Sequence, residues 1–376
     1  MKILWLRGGG TLLQEAPQRS YFILKYFPKG HFIRVHHLGC DFFYKGFYRK
    51  SRQYWFRPDI IVYEPLQLNL FPMELFSYHL NDFIPSLLGF ISALVESTDV
   101  DIIVGEGFLG GFAGAVLKRA LGKPFVYDYI DPYTELAGQG PLGVYAFIER
   151  KLPQLADLTV CVSYYLKEKA KFFGSKRTEL IPNGFDPNWL SLSIKPHKIS
   201  LEKRKKVLFV GQIGMSRILL ESAFYLSPEV LLVILGSGIE EKQIMNFVKT
   251  SGLEKRVLFL GYVPHDNVPS LITSSDICVD TSGVETSLKL IEYGVFGKPV
   301  IALEGPVTRR FVKDQEIAVS QRNPKDIANT IMRLLHNIAD AKNMGENLRK
   351  KIINEYRWDV LAEKYTSVLK NLSKKE

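Results

Sequence analysis

A chain of 376 residues is too long for one ordinary hydrophobic core, so two domains are expected. Apolar content of 46% and charged content of 23% exclude a disordered chain, and a formal charge of +10 points to an anionic partner without choosing among nucleic acid, phospholipid and phosphate-bearing substrate. The longest early apolar run, SLLGFISALV (86–95), is about half of the roughly 18–20 residues that a membrane-spanning helix needs, and MKILWLRGGG turns glycine-rich too soon for a signal peptide. A cytoplasmic location, or a peripheral one on the cytoplasmic membrane face, is expected.

The chain opens with a buried-type strand, KILWL (2–6), followed by Gly8-Gly9-Gly10. FIRVHHL (32–38) and DIIVYEP (59–65) are the next strands, and a helix is expected around 82–96. DIIVGEG (101–107) reads as a strand, GGFAGAVLKRALG (110–122) as a helix ending on Gly122, and PFVYDYIDPY (124–133) as a strand and loop. A helix around 143–156, the strand LTVCVS (158–163), a helix over 164–173 and ELIPNGFDP (179–187) complete the first half. Short apolar strands alternating with helices predict a parallel sheet covered on both faces. The pattern lapses between 188 and 206 into SLSIKPHKISLEKRKK, a polar, basic, proline-interrupted linker. It restarts with KVLFVG (206–211), EVLLVILGSG (229–238), RVLFLGYVP (256–264), DICVDTS (276–282) and PVIAL (299–303). After Asn354, Trp358, Leu361, Tyr365, Val368 and Leu372 recur at helical spacing, predicting an amphipathic helix with one docking face.

Cys40, Cys161 and Cys278 form no CxxC, and the seven histidines include no HExxH. His36 and His37 are neighbours and so point different ways, and no protein-only metal site is expected. VGEGFLGG (104–111) holds GxGxxG at Gly105, Gly107 and Gly110, with Asp128 ending the next strand. That spacing fits a dinucleotide fingerprint, but the strand does not open its sheet unit as the fingerprint usually does, which favours glycines that permit tight helix–sheet packing and leaves the fingerprint as the rival. KGFYRKSRQYWFR (45–57) interleaves basic and aromatic residues, which suits an anionic membrane surface or a solvated loop better than nucleic acid. SLKLIEYGVFGKPVIA (287–302) sets Ser287 at an N-cap position and Gly297 at a helix stop, with Leu288, Ile291 and Val295 as the buried stripe. Lys289 and Glu292 are then either a surface pair or one wall of a site where helix amides and an ammonium hold phosphate oxygens.

ELIPNGFDP, VLFVG, VILGSG, VLFLGYVPHDNVPSLITSSDICVDTS and above all SLKLIEYGVFGKPVIA stand in the order and spacing of a known group. The chain resembles the retaining GT-B-fold glycosyltransferases of family 4 (group 1 glycosyltransferases) over nearly its whole length. The resemblance implies two Rossmann-like α/β domains facing across a cleft: 1–188 on the acceptor side, a linker at 189–205, a nucleotide-sugar domain at 206–354, and a helix at 355–376 crossing back to the first domain. It implies that Glu292 holds the donor ribose, and that Ser287, Leu288 and Lys289 meet the diphosphate. Gly236, Tyr262 and Val263 would lie near the base, and Gly8, Gly9 and Gly10 near the phosphates and acceptor. Three positions depart from the pattern. Val284 stands where the family has a second acid, with Glu285 one residue on as a sugar contact; Gln212 replaces a common Arg, leaving Arg217 and Lys289 to face the diphosphate; Ile130 replaces a common His before Asp131, the residue expected near the acceptor.

The resemblance thus implies hexosyl transfer, with retention, from a nucleoside diphosphate-sugar to a glycan or lipid-linked acceptor. No cofactor, metal or nucleic acid is expected. Two alternatives stay open: an NAD-dependent oxidoreductase using the 105–110 turn, and a non-catalytic sugar-nucleotide or polyanion binder.

Overall fold

The computed structural model describes residues 1–8, 12, 19–38, 48–68, 86–137, 143–191, 193–195, 197–201, 203–238, 240–283, 287–305 and 313–373. They form two compact units, one of Met1–Pro182 with Asp359–Glu376, the other of Asn183–Trp358.

In the first unit β1 (Lys2–Gly8), KILWLRG, is buried through its middle, as a strand covered on both faces must be. The other strands are β2 (Phe32–Leu38), β3 (Tyr48–Arg49), β4 (Arg52–Arg57), β5 (Ile60–Glu64), β6 (Gln67–Leu68), β7 (Ile102–Glu106), β8 (Phe125–Tyr129), β9 (Leu158–Cys161) and β10 (Thr178–Leu180). Eight of them make one sheet in the order β10-β9-β8-β7-β1-β2-β5-β4, while β3 and β6 pair apart as a short antiparallel ribbon. The large sheet is parallel except for β4, which turns back antiparallel on β5. The connecting helices are α1 (Arg19–Tyr26), α2 (helical over 86–95), α3 (Gly107–Leu121), α4 (Tyr133–Ala137), α5 (Val144–Leu155) and α6 (Tyr164–Phe172). α3 stops at Gly122, whose φ of 67° lets its N–H reach back to Lys118. α6 starts at Ser163, whose hydroxyl accepts the Leu166 N–H.

The basic-aromatic stretch 45–57 is thus partly a sheet edge, its first three residues lying outside the described set. Arg52 pairs with Glu64 across the β4–β5 hairpin. Arg57 pairs with Asp59 and donates to the carbonyls of Leu24, Lys25 and Phe27. Both guanidiniums thus have partners within the hairpin or beside it, Arg57 largely covered and Arg52 still half exposed. Among the described residues no helix is long and apolar enough to cross a membrane.

The second unit alternates β11 (Lys205–Val210), α7 (Arg217–Ser222), β12 (Val230–Leu235), α8 (Glu241–Thr250), β13 (Val257–Gly261), α9 (Val268–Thr273), β14 (Ile277–Asp280), α10 (Leu288–Val295), β15 (Val300–Leu303) and β16 (Ala318–Ser320). Then follow α11 (Pro324–His336) and α12 (Ile338–Glu355). Its six-stranded parallel sheet runs β13-β12-β11-β14-β15-β16, with an apolar core on each face. The polar stretch 189–205 is no free tether: Trp189 and Ile199 are buried in this unit's core, and the His197 N–H donates to Ser274 Oγ at 3.0 Å. The chain crosses between the units instead at Pro182–Asn183 and at Trp358–Asp359. The last helix, α13 (Trp358–Ser373), docks on the first unit, where Tyr365 stacks on Trp5 at 5.3 Å and the Lys364 ammonium donates to the Leu180 carbonyl.

Candidate functional site

In the second unit three parallel strands end on glycines at one edge of the sheet. β11 ends before Gly211 (φ 144°), β12 before Gly236 (φ 143°), and β13 on Gly261 (φ 65°). The Gly211 N–H donates to the Leu235 carbonyl, and the Gly236 N–H to the Gly261 carbonyl at 2.8 Å. A Cβ on Gly236 would lie 1.7 Å from the Gly211 oxygen, so only glycine lets these turns come so close.

α10 is fixed against that edge by Tyr293, whose hydroxyl accepts the Val210 N–H at 2.9 Å. Ser287 is its buried N-cap residue; the hydroxyl makes no capping bond, and the first-turn amides begin at Leu288. One turn before Tyr293, Lys289 reaches across Gly211. A Cβ there would meet its Cε at 2.4 Å and its Nζ at 2.6 Å, so the absent side chain is what admits the ammonium. The Lys289 Nζ lies 5.3 Å from the Phe209 ring centroid and has no carboxylate partner among the described residues.

Glu292, mostly buried, accepts a hydrogen bond from His265, with Nε2 and Oε1 2.9 Å apart. The histidine arrives on the loop that leaves β13 through Tyr262 and Val263, and the Trp189 ring backs it at 4.9 Å with Phe296 behind. Burial alone would lower the His265 pKa. The Glu292 hydrogen bond, together with the charges of Glu292, Asp266 and Asp186, outweighs it and raises the value above the ordinary histidine range. A lone histidine in VPHDN carries no sequence signal of this role, and neither does Trp189 after the IPNG stretch.

Lys289, Glu292, Ser287, Leu288, Gly236, Tyr262 and Val263 therefore all lie within the second unit, on α10, at the end of β12 and on the loop leaving β13. Arg217 does not join Lys289 in a shared contact. Its Nε pairs with Glu221 at 2.8 Å and its guanidinium lies 3.5 Å from the Phe247 ring, a clasp between α7 and α8. Gly9, Gly10 and Glu285 lie outside the described residues. Asp131 belongs to the first unit, on the bend after β8. It keeps solvent access yet stands among many protein atoms; that crowding, and then the charge of Glu106, push its carboxyl up to about 6.

The GxGxxG turn proves to be packing. A Cβ on Gly105 would lie 2.3 Å from the Gly110 oxygen, and one on Gly110 2.3 Å from the Leu6 oxygen. Asp128, fully buried, accepts from two of the Arg19 nitrogens at 3.2 Å, while the third donates to the Pro182 carbonyl. Glu106 accepts from Trp5 Nε1 and from the Ser20 hydroxyl. The acid a dinucleotide ribose would need is held by Arg19, and the backbone a pyrophosphate would approach is covered by the chain itself. The geometry removes the ground for the oxidoreductase alternative.

Residues 193–351 match the family described as "Glycosyl transferases group 1", and residues 56–189 that described as "Glycosyltransferase Family 4". An uncharacterized glycosyltransferase of Methanocaldococcus jannaschii is 25% identical over 72% of this chain and 75% of its own. Spore coat protein SA of Bacillus subtilis is 26% identical over 51% of this chain and 58% of its own. Among solved structures, sucrose-phosphate synthase from Thermosynechococcus elongatus superposes over 100% of both chains with a TM-score of 0.78 at 18% identity. Anabaena HepE in complex with UDP covers 99% of this chain and 100% of its own, with a TM-score of 0.74 at 17% identity.

Proposed function

The chain belongs to the family 4 type, group 1 glycosyltransferases of GT-B fold, and from that premise we propose that it moves a sugar from a nucleoside diphosphate-sugar to a hydroxyl of a glycan or lipid-linked acceptor, with retention at the anomeric carbon. The observation that carries the reading is the convergence on α10 of an ammonium with no carboxylate partner among the described residues, Lys289, and a histidine-held carboxylate, Glu292, beside strand ends that only glycine can form.

In this reading the Leu288–Leu290 amides and Lys289 meet the diphosphate, whose charge grows as the sugar–oxygen bond breaks. Glu292 accepts the two ribose hydroxyls, and His265 fixes the carboxylate for that task. The side-chain charge on the diphosphate comes from Lys289, because Arg217 is engaged by Glu221 and Phe247. Asp131 orients the acceptor hydroxyl, and the protein's main work is positioning and charge neutralisation. The UDP named with HepE makes uracil the first base to try.

The test is a thermal-shift and calorimetric panel of UDP, GDP, ADP and NADH on the wild type and Glu292→Ala. A ligand at a hundredfold its Kd stabilises the fold by about 2.7 kcal/mol. One nucleoside diphosphate should stabilise the wild type and not the variant. Stabilisation by NADH alone, equal in both proteins, would sink the reading. The anomeric configuration of the product, read by proton NMR from a turnover of the matching nucleotide sugar, then decides retention against inversion.

A further inference from the structure

Four helices of the first unit bury their inner sides in one core: Ala93 of α2, Ala113 and Leu117 of α3, Leu152 of α5, and Leu166 and Ala170 of α6. They therefore cover the same face of the large sheet, and their outer sides form one surface. α3 and α5 touch along it. The Phe108 and Tyr145 rings meet edge to face at 5.1 Å near their starts, and the Lys118 ammonium donates to the Leu155 carbonyl toward their ends.

That surface is apolar where the outer side of a helix layer is ordinarily polar. α2, SLLGFISALV over 86–95, packs Phe90 and Ala93 on the core, yet Leu87, Ile91, Leu94 and Val95 are 40–68% exposed. A helix that is apolar on every side is normally covered on every side. Each of the other three adds an outward ring: Phe112 of α3 is 52% exposed, Phe147 of α5 62% and Phe172 of α6 84%. Apolar patches of this kind mark contact with a protein or a membrane.

Charge decides between them. α2 carries no charged residue; α3 carries two bases and no acid, α5 two bases and Glu149, and α6 three bases and Glu168. Glu149 is fully buried against Lys169, so among the described residues Glu168 is the one acid that these helices expose, and it pairs with Lys171. Arg119, Arg150 and Lys151 are exposed beside it. The acids just past α2 are engaged, Glu96 by the Tyr63 hydroxyl and Asp99 by Lys2 and Arg34. At the α2 edge the surface meets the basic-aromatic stretch: Leu88 and Arg52 line one cleft, and Lys50 beside it is exposed. A surface of one sign repels its own copy, whereas an acidic bilayer answers both its apolar side chains and its cations. We propose that the outer face of α2, α3, α5 and α6 is a docking surface for an anionic phospholipid bilayer, independent of the role given to the nucleotide-binding residues of the second unit.

The experiment is co-sedimentation of the full chain with vesicles of phosphatidylcholine alone and of phosphatidylcholine mixed with phosphatidylglycerol. The chain should pellet with the mixed vesicles and bind the neutral ones about tenfold more weakly or worse, and added salt should release it. Leu87→Gln with Ile91→Gln changes only exposed positions; it should weaken binding by about tenfold or more while melting no lower than the wild type. Arg150→Ala with Lys151→Ala should also weaken it by about tenfold or more, the scale of two charges lost near an anionic surface, and keeps the test alive if the α2 variant does not fold. Phe224→Ser, at an exposed ring of the second unit, should bind like the wild type. So should Glu292→Ala, whether or not it abolishes nucleotide binding, and each proposal can therefore fail without the other. The docking surface is overturned if the chain ignores both vesicles, if it binds neutral and anionic vesicles equally, if both helix variants bind like the wild type, or if Phe224→Ser costs as much as they do. A dimer that the α2 variant abolishes, seen in sedimentation velocity without any vesicle binding, would assign the face to a second copy and overturn it as well.

Discussion

Two stretches of this molecule use the same grammar, a buried parallel strand, glycines, a helix and an acid further along, and they use it for opposite ends. In the first unit the space left by Gly105 and Gly110 is filled by carbonyl oxygens, and Asp128 is clasped by Arg19. In the second unit the space at Gly211 is filled by the end of Lys289, and Glu292 has His265 as its one hydrogen-bond partner among the described residues. Backbone cannot retire from a gap, whereas a lysine side chain can swing to a ligand. Glycine spacing shows only that the chain needs room; residues distant in sequence decide what occupies it.

That contrast can be broken most easily by stability. Asp128→Ala strands the Arg19 guanidinium in the interior and should cost about 3–5 kcal/mol in urea denaturation, while Glu292→Ala should cost under about 1 kcal/mol. Equal losses would mean that both acids are structural. Next in size, Lys289→Met should lower kcat/KM by roughly 100-fold, the scale of one donor to developing charge, with little change in melting temperature.

A pH series sharpens the comparison further. Burial first, with Glu106 adding and Arg19 opposing, puts Asp128 near 6, and Asp131 is likewise pushed up to about 6. The folded state then holds more protons than the unfolded one between about pH 4 and 6, so stability falls as pH rises through that window. The fall should shrink in Asp131→Asn. In the wild type kcat/KM should rise through pH 6 as Asp131 ionises, and that limb should vanish in the variant. The smallest effect belongs to His265: its pKa is raised, so its contribution is full below the ordinary histidine value and fades as pH climbs past the raised one. An NMR titration of the ring in wild type and Glu292→Gln reads this directly, with the value dropping in the variant.

Much of the fold and part of the site are legible in the amino-acid sequence. KILWL, VLFVG and VILGSG are strands because a parallel strand buried on both faces is apolar throughout, and α10 is bounded by Ser287 and Gly297. β4 is not legible: RQYWFR lacks the alternation of a half-buried strand, and its register comes from Arg52 meeting Glu64 and Arg57 meeting Asp59. Nor does polarity reveal that 189–205 packs, because two buried residues, Trp189 and Ile199, hold down an otherwise hydrophilic stretch. In the site, Lys289 and Glu292 stand out by spacing on one helix. The His265 contact joins residues 27 apart, and Arg217 is drawn away by the ring of Phe247, so neither follows from local pattern.

The stack of Tyr365 on Trp5 also has a temporal meaning. The second unit lies wholly between Asn183 and Trp358, an insertion whose residues all leave the ribosome before the first unit receives its last helix. The sheet whose first strand is made at Lys2 therefore waits, with the α13 side of Trp5 uncovered, until Asp359–Ser373 has been synthesised. Order of synthesis and order of completion are reversed, and a chain stopped at Trp358 should yield a folded second unit tethered to a sticky, unfinished first one.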